Sequence, residues 1–203
     1  MTVADGRGAV ARGVLVGEEG DRALIDVEQV RRVERPLPRL SVALAPPKGD
    51  RLGWAVQKLA ELGVDEVNLV DAERSMRSWP RDRTSKAVTR LRAVAREAAM
   101  QARSPFLTDV RAGGALDEVL AGGNGCVVML WEGATEPLAP LLPDGVTEIR
   151  LLVGPEGGFT EEEAAQARRA GARLSSLGSN ILRTETAAVV GAALVLARYG
   201  RLG

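Results

Sequence analysis

The chain has 203 residues with 27 Lys and Arg against 27 Asp and Glu, so its formal net charge is zero; 45% of it is hydrophobic but only 3% aromatic. That length suits one full domain plus a small appendage, with a core built from Val, Leu and Ala. The absence of histidine excludes Ser-His-Asp and Cys-His catalysis, histidine metal sites and the usual general base near neutral pH.

Residues 9–16 and 22–28 read as two short strands joined by Gly17-Glu18-Glu19-Gly20-Asp21. A lone hairpin is marginal in water, so this piece must pack on the main body, belong to a barrel or pair with a partner. Arg31, Arg32, Arg35, Pro36, Pro38 and Arg39 form a basic, proline-bearing linker. It divides an N-terminal element, 1–39, from a main domain, 40–203. From Leu40 apolar runs alternate with helix-period segments. Strands are expected at 42–45, 66–70, 106–110, 126–131, 149–153 and near 173–177, and helices at 50–62, 84–103, 116–120, 160–170 and 184–199. Strands rich in Val and Leu alternating with helices predict an α/β domain with a mostly parallel sheet. Thr160 followed by Glu163 is a capping-box pattern that fixes the start of its helix.

Cys126 is the single cysteine. It rules out an internal disulfide, makes a zinc site and any bound metal unexpected, and points to a reducing cytoplasm. It falls in an apolar strand and reads as a core residue. The longest apolar run, 187–197, is broken by Gly191 and too short to span a bilayer. The N-terminus shows no basic-then-apolar secretory pattern. Trp54, Trp79 and Trp131 are too scattered to form a base-stacking platform.

Zero net charge hides a segregation. Arg74, Arg77, Arg81, Arg83, Lys86, Arg90, Arg92, Arg96 and Arg103 face only Asp82 and Glu97, so residues 74–103 carry nine cations against two acids, or +7. Such a patch suits a phosphate-backbone partner; a solvated helix decorated with charge is the plainer alternative.

Two stretches carry the chemistry. The first, Val153-Gly154-Pro155-Glu156-Gly157-Gly158-Phe159, follows an apolar strand and precedes a helix. Bare backbone there lets ligand atoms approach, and N–H groups at the helix start favour polar or anionic groups. It is neither a GxGxxG fingerprint nor a P-loop, and a tight strand-to-helix turn explains the glycines equally well. The second, Leu177-Gly178-Ser179-Asn180-Ile181-Leu182-Arg183-Thr184-Glu185-Thr186-Ala187, opens the last helix. Ile181 and Leu182 suit the walls of an adenine pocket. Arg183 and Glu185 stand beside it as charges that must be paired or used, a structural Arg183–Glu185 ion pair being the alternative to a catalytic role.

GPEGGFTEEE followed by LGSNILRTETAA resembles the C-terminal signature of the 16S rRNA (uracil-N3)-methyltransferase family, within the SPOUT class of knotted methyltransferases. Upstream, Lys48-Gly49-Asp50-Arg51 with the 57–64 stretch QKLAELGV resembles the family's "K…QKxxELGV" helix, and the 97–103 stretch EAAMQAR its "EAxxQxxR" segment. The likeness runs from about Ala4 to the C-terminus.

The resemblance implies an α/β SPOUT domain with a C-terminal trefoil knot, an exception to unknotted topology, preceded by a small PUA-like β element. S-adenosyl-L-methionine would sit in the knot, contacted by Leu130, Glu132, Val153, Gly154, Pro155, Glu156, Gly157, Gly158, Leu177, Gly178, Asn180, Ile181, Leu182 and Arg183. Arg183 would stabilise charge developing on uracil, and Glu185 would take the N3 proton or orient Arg183. The RNA of the small ribosomal subunit would meet Arg35, Arg39, Lys48, Arg51, Arg74, Arg77, Gln101 and Arg103. The family is dimeric, and the apolar last helix suits the interface. The N-terminal element is shorter than the family's barrel, and Ser104-Pro105 stands where a further cation is expected. The competing readings are a SPOUT enzyme acting on another RNA, such as tRNA ribose, and a non-catalytic RNA-binding or ribosome-assembly factor.

Overall fold

The computed structural model describes residues 1–75, 81–121 and 125–202; Arg77 and Trp79 lie outside the described residues. Two sheets form. The N-terminal one is antiparallel, with strands β1 (Thr2–Ala4), β2 (Ala9–Glu19) and β3 (Arg22–Arg32) in that spatial order. The expected hairpin is present, with longer strands and a third strand added. Its register slips between Arg12 and Gly13, where a Cβ on Gly13 would lie 2.2 Å from the Asp26 carbonyl, so only glycine lets the strands close at this bulge.

The main sheet contains β4 (Arg39–Leu44), β5 (Glu66–Asp71), β6 (Asp109–Ala115), β7 (Cys126–Leu130), β8 (Glu148–Val153) and β9 (Arg173–Ser175). Their order is β6-β5-β4-β8-β7-β9, and every neighbouring pair is parallel. Around them lie α1 (Arg51–Glu61), α2 (Arg81–Gln101), α3 (Leu116–Ala121), α4 (Glu161–Arg169) and α5 (Thr184–Arg198).

Side-chain alternation assigns the layers. Leu40, Val42 and Leu44 of β4 join Val56, Leu59, Leu91, Ala188 and Val195 in the core shared with α1, α2 and α5. Ala43, with Met129 and Leu152, points the other way, to Phe159, Ala164, Leu116 and Leu120 beside α3 and α4. Central strands covered on both faces are apolar at most positions, which is why they read as hydrophobic runs broken only by residues such as Ser41 and Arg150. The mixed α/β fold with a parallel sheet is therefore as expected.

Two boundaries differ from expectation for a physical reason. The strand expected at 106–110 lies at Asp109–Ala115, because the chain before it seams the two sheets together. The Gly8 amide donates to the Pro105 carbonyl (3.1 Å) and the Leu107 amide to the Gly6 carbonyl (3.0 Å). Likewise β9 stops at Ser175, since the Ser176 amide turns to the Glu136 carbonyl (2.9 Å).

Candidate active site

Strands β7, β8 and β9 end side by side at Leu130, Val153 and Ser175, and the loops that follow enclose one cavity of about 250 Å³. Ligands of open α/β sheets bind at such carboxyl ends. The first wall is the 154–159 turn, closed by the Gly158 amide on the Pro155 carbonyl (2.9 Å). Gly158 has φ of +69°, a conformation that favours glycine, and a Cβ on it would sit 2.3 Å from Glu132 Oε1, so the Glu132 side chain would have to shift. Phe159 is buried beneath the turn. The capping box then starts α4: Thr160 Oγ1 accepts from the Glu163 amide (3.1 Å) and Glu163 Oε2 from the Thr160 amide (2.8 Å).

The segment after β5 braces this turn from outside. Arg74 Nη1 donates to the Gly157 carbonyl (2.9 Å) and the Glu73 amide to Glu163 Oε1 (2.8 Å). From the loop before α1, the Lys48 amide donates to Glu156 Oε1 (2.9 Å). Burial pushes the Glu156 carboxyl up, but the hydrogen bond from Lys48, the one from its own amide, and the Lys48 and Arg51 charges outweigh this. The net direction is downward from the ordinary carboxyl value.

The second wall is the 176–182 stretch leading into α5. The Trp131 amide donates to the Ser175 carbonyl (2.9 Å) and Ser176 pairs with Pro137, so the loop after β7 and the loop after β9 are laced together. Helix α5 comes close to the sheet because Gly191 has no side chain; a Cβ there would lie 2.8 Å from Leu151 Cδ2 and 2.9 Å from Leu130 Cδ1.

The expected cofactor residues Leu130, Glu132, Leu177, Gly178, Asn180, Ile181 and Leu182 and the whole 153–158 turn line this cavity. Arg183 does not: it is the residue preceding α5 and is exposed. Glu185 is buried and pairs not with Arg183 but with Arg51, whose Nε lies 3.6 Å from Glu185 Oε1. Trp131 and Ser179 line it too, within the expected 130–132 and 177–183 segments, and Thr184 and Ala187 do so from inside the 177–187 stretch; only Ser175 and Ser176 were missed, and adjacency to that stretch is the only signal they carry.

The expected RNA-binding residues fall into three groups. Lys48, Arg51 and Arg74 gather round the 154–158 turn. Arg39, Gln101 and Arg103 are exposed away from the strands' carboxyl ends, at the start of β4 and at or just after the end of α2. Arg35 is engaged internally, 2.7 Å from Asp65 Oδ1 and with its guanidinium 4.5 Å from the Phe106 ring centroid. Among the described residues no group of three potential metal ligands occurs, and no helix is long and apolar enough to cross a membrane.

A parallel sheet covered on both faces, with a glycine-walled cavity at the ends of three adjacent strands, defines an α/β domain built to hold a small ligand. Residues 33–196 match the RNA methyltransferase domain family. The ribosomal RNA small subunit methyltransferase E of Mycobacterium bovis is 35% identical over 94% of this chain and 75% of its own length. The Bacillus subtilis protein of that name is 32% identical over 75% of this chain and 64% of its length. Among solved structures, the Neisseria gonorrhoeae methyltransferase E bound to S-adenosyl methionine superposes with a TM-score of 0.86 at 27% identity, over 98% of this chain and 83% of that one. A Legionella pneumophila methyltransferase with bound S-adenosyl methionine also gives 0.86, at 25% identity, over 97% of this chain and 81% of that one. The chain belongs to the RNA methyltransferase family, among the ribosomal RNA small subunit methyltransferase E proteins.

Proposed function

We propose that this protein transfers a methyl group from S-adenosyl-L-methionine to N3 of a uridine in 16S rRNA of the small ribosomal subunit, in the cytoplasm and without a metal. The observation that carries the reading is the single cavity into which both C-terminal motifs converge, in a chain whose relatives are named as rRNA methyltransferases and solved with that cofactor. The residues present fit the cofactor. Gly157 and Gly158 leave backbone bare, Leu130, Leu177 and Leu182 supply apolar wall, and Ile181 stands 90% exposed at the rim, where a bound ring would cover it. Thr184 Oγ1, on the cavity wall, is buried with no partner among the described residues, which suits a ligand polar group. When bound there, the cofactor supplies an electrophilic methyl group.

The chain's own task is to unmask the nucleophile. Uracil N3 holds a proton and is engaged in Watson–Crick pairing, so the target base must be unpaired or flipped out. With no histidine available, Glu185 is the proposed acceptor of that proton. The amide dipoles at the start of α5, with Arg183 beside them, would stabilise the negative charge left on the ring.

The flanking RNA would run along α2. Lys86, Arg90, Arg92 and Arg96 are exposed on it, and its 21 residues span about 30 Å. On this reading residues 1–39 are an RNA-docking, PUA-like element, 40–203 are the methyltransferase domain, and the segment from β9 into α5 threads a trefoil knot. Exposed Leu194 (43%) on α5 and Trp54 (46%) on the adjoining α1 support a homodimer. Mass spectrometry of 16S rRNA from a deletion strain should show N3-methyluridine lost and restored by complementation. An unchanged level would overturn the reading.

A further inference from the structure

Arg51 occupies a position that helix electrostatics disfavour. It is the first residue of α1, whose first turn carries no acid and whose preceding Asp50 makes no side-chain cap. A cation there meets the positive end of the helix dipole. Two carboxylates from elsewhere in the chain compensate. Arg51 Nη1 lies 4.0 Å from Glu156 Oε1, on the first wall of the cavity, and Arg51 Nε lies 3.6 Å from Glu185 Oε1, in the first turn of α5. One guanidinium thus stands between the first wall and the start of α5.

This placement leaves an asymmetry. Glu185 is only 7% exposed. Its Oε1 faces Arg51, while Oε2 is buried with no partner among the described residues. A buried carboxylate oxygen without a donor is costly and is the state expected of an acceptor whose donor arrives with a ligand. The neighbouring Thr184 Oγ1, equally buried and unpartnered, lies on the cavity wall. Thr184 and Glu185 are successive residues at the start of α5, the first on the cavity wall and the second buried outside the lining.

We propose that Arg51 is a positioning residue: it holds Glu185 by Oε1 so that Oε2 stays ready to accept the N3 proton of the target uracil. The proposal rests on Glu185 being the acceptor. The proton passes from N3 to the carboxylate, leaving its negative charge on the uracil ring, and Arg51 touches neither reactant. Arg51 thereby leaves the set of RNA contacts. It has little part in holding the cofactor, because the 154–158 turn has independent braces in Arg74, the Lys48 amide and the capping box.

The test is a double-mutant cycle on the full-length protein with 30S subunits as substrate. Arg51→Ala should lower kcat by roughly 10²-fold, within the range of a misplaced acid–base group. KM for the RNA and the calorimetric Kd for S-adenosylmethionine should stay within about twofold, and Arg51→Lys should recover part of kcat. Adding Arg51→Ala to Glu185→Gln should cost nothing further, because residues that act as a unit are non-additive. Full kcat in Arg51→Ala alongside an inactive Glu185→Gln overturns the role of Arg51 alone. So do a loss confined to RNA or cofactor affinity, and full additivity in the double variant. Full turnover in Glu185→Gln overturns the underlying assignment instead. Arg51 is 43% exposed; should the alanine variant fold poorly, Arg51→Lys and Arg51→Met provide the same comparison of charge against bulk.

Discussion

At Gly158 a single hydrogen in place of a methyl group sets the backbone of the cavity's first wall. The residue has positive φ and faces Glu132 at a distance that no Cβ tolerates. Gly158→Ala should therefore cost about 1–3 kcal/mol of backbone strain and push Glu132 from its place on the rim. The expected outcome is at least a tenfold weaker S-adenosylmethionine Kd by calorimetry, with the circular-dichroism spectrum unchanged. Glu156 gives a pH signature. Its carboxyl is held below the ordinary value of 4.5, so its contribution to stability is complete above that value and is lost as pH falls through the lowered one. The melting-temperature gap between wild type and Glu156→Gln should thus be present at neutral pH and disappear as the solution is acidified well below 4.5.

The start of α4 shows a sequence pattern acting as an element-scale brace. Thr160 and Glu163 satisfy each other's amides, and Glu163 also receives the Glu73 amide, tying the loop after β5 to the cavity turn. Thr160→Ala should cost about 1 kcal/mol, as for other lost helix caps, read as a lower urea midpoint at constant slope. This helix was legible because its signal is local. The strand after α2 starts later than its apolar residues suggest, because Pro105 and Leu107 hydrogen-bond to Gly8 and Gly6, about a hundred residues earlier in the chain. Gly191 looked like a flaw in an apolar helix; it is the point where α5 meets Leu151 and Leu130.

Across the whole molecule, Asp65 fastens the ends of the domain. It accepts from Arg35 (2.7 Å), Arg201 (2.9 Å) and the Leu40 amide (2.8 Å), and Arg201 also donates to the Pro38 and Gly63 carbonyls (2.6 and 2.8 Å). Linker, α1 exit and C-terminus thus share one buried carboxylate. Arg201→Ala removes one donor to Asp65 but leaves Arg35 and the Leu40 amide on it, and should cost about 1–3 kcal/mol, visible as a fall in melting temperature of roughly 3–10 degrees. The cofactor's Kd should change little in the protein that remains folded, since Asp65 precedes β5 at the amino end of the strands and the cavity lies at the carboxyl ends. The sequence by itself determined the α/β alternation, the glycine turn, the capped helix and the cavity residues, because each is written in neighbours a few positions apart. Only the tertiary structure decided the partners of the charges: Glu185 with Arg51 rather than Arg183, Arg74 on the Gly157 carbonyl, Arg35 on Asp65. Charge attracts across space without regard to chain order, so the pairing of these residues had to wait for the strands to set their distances.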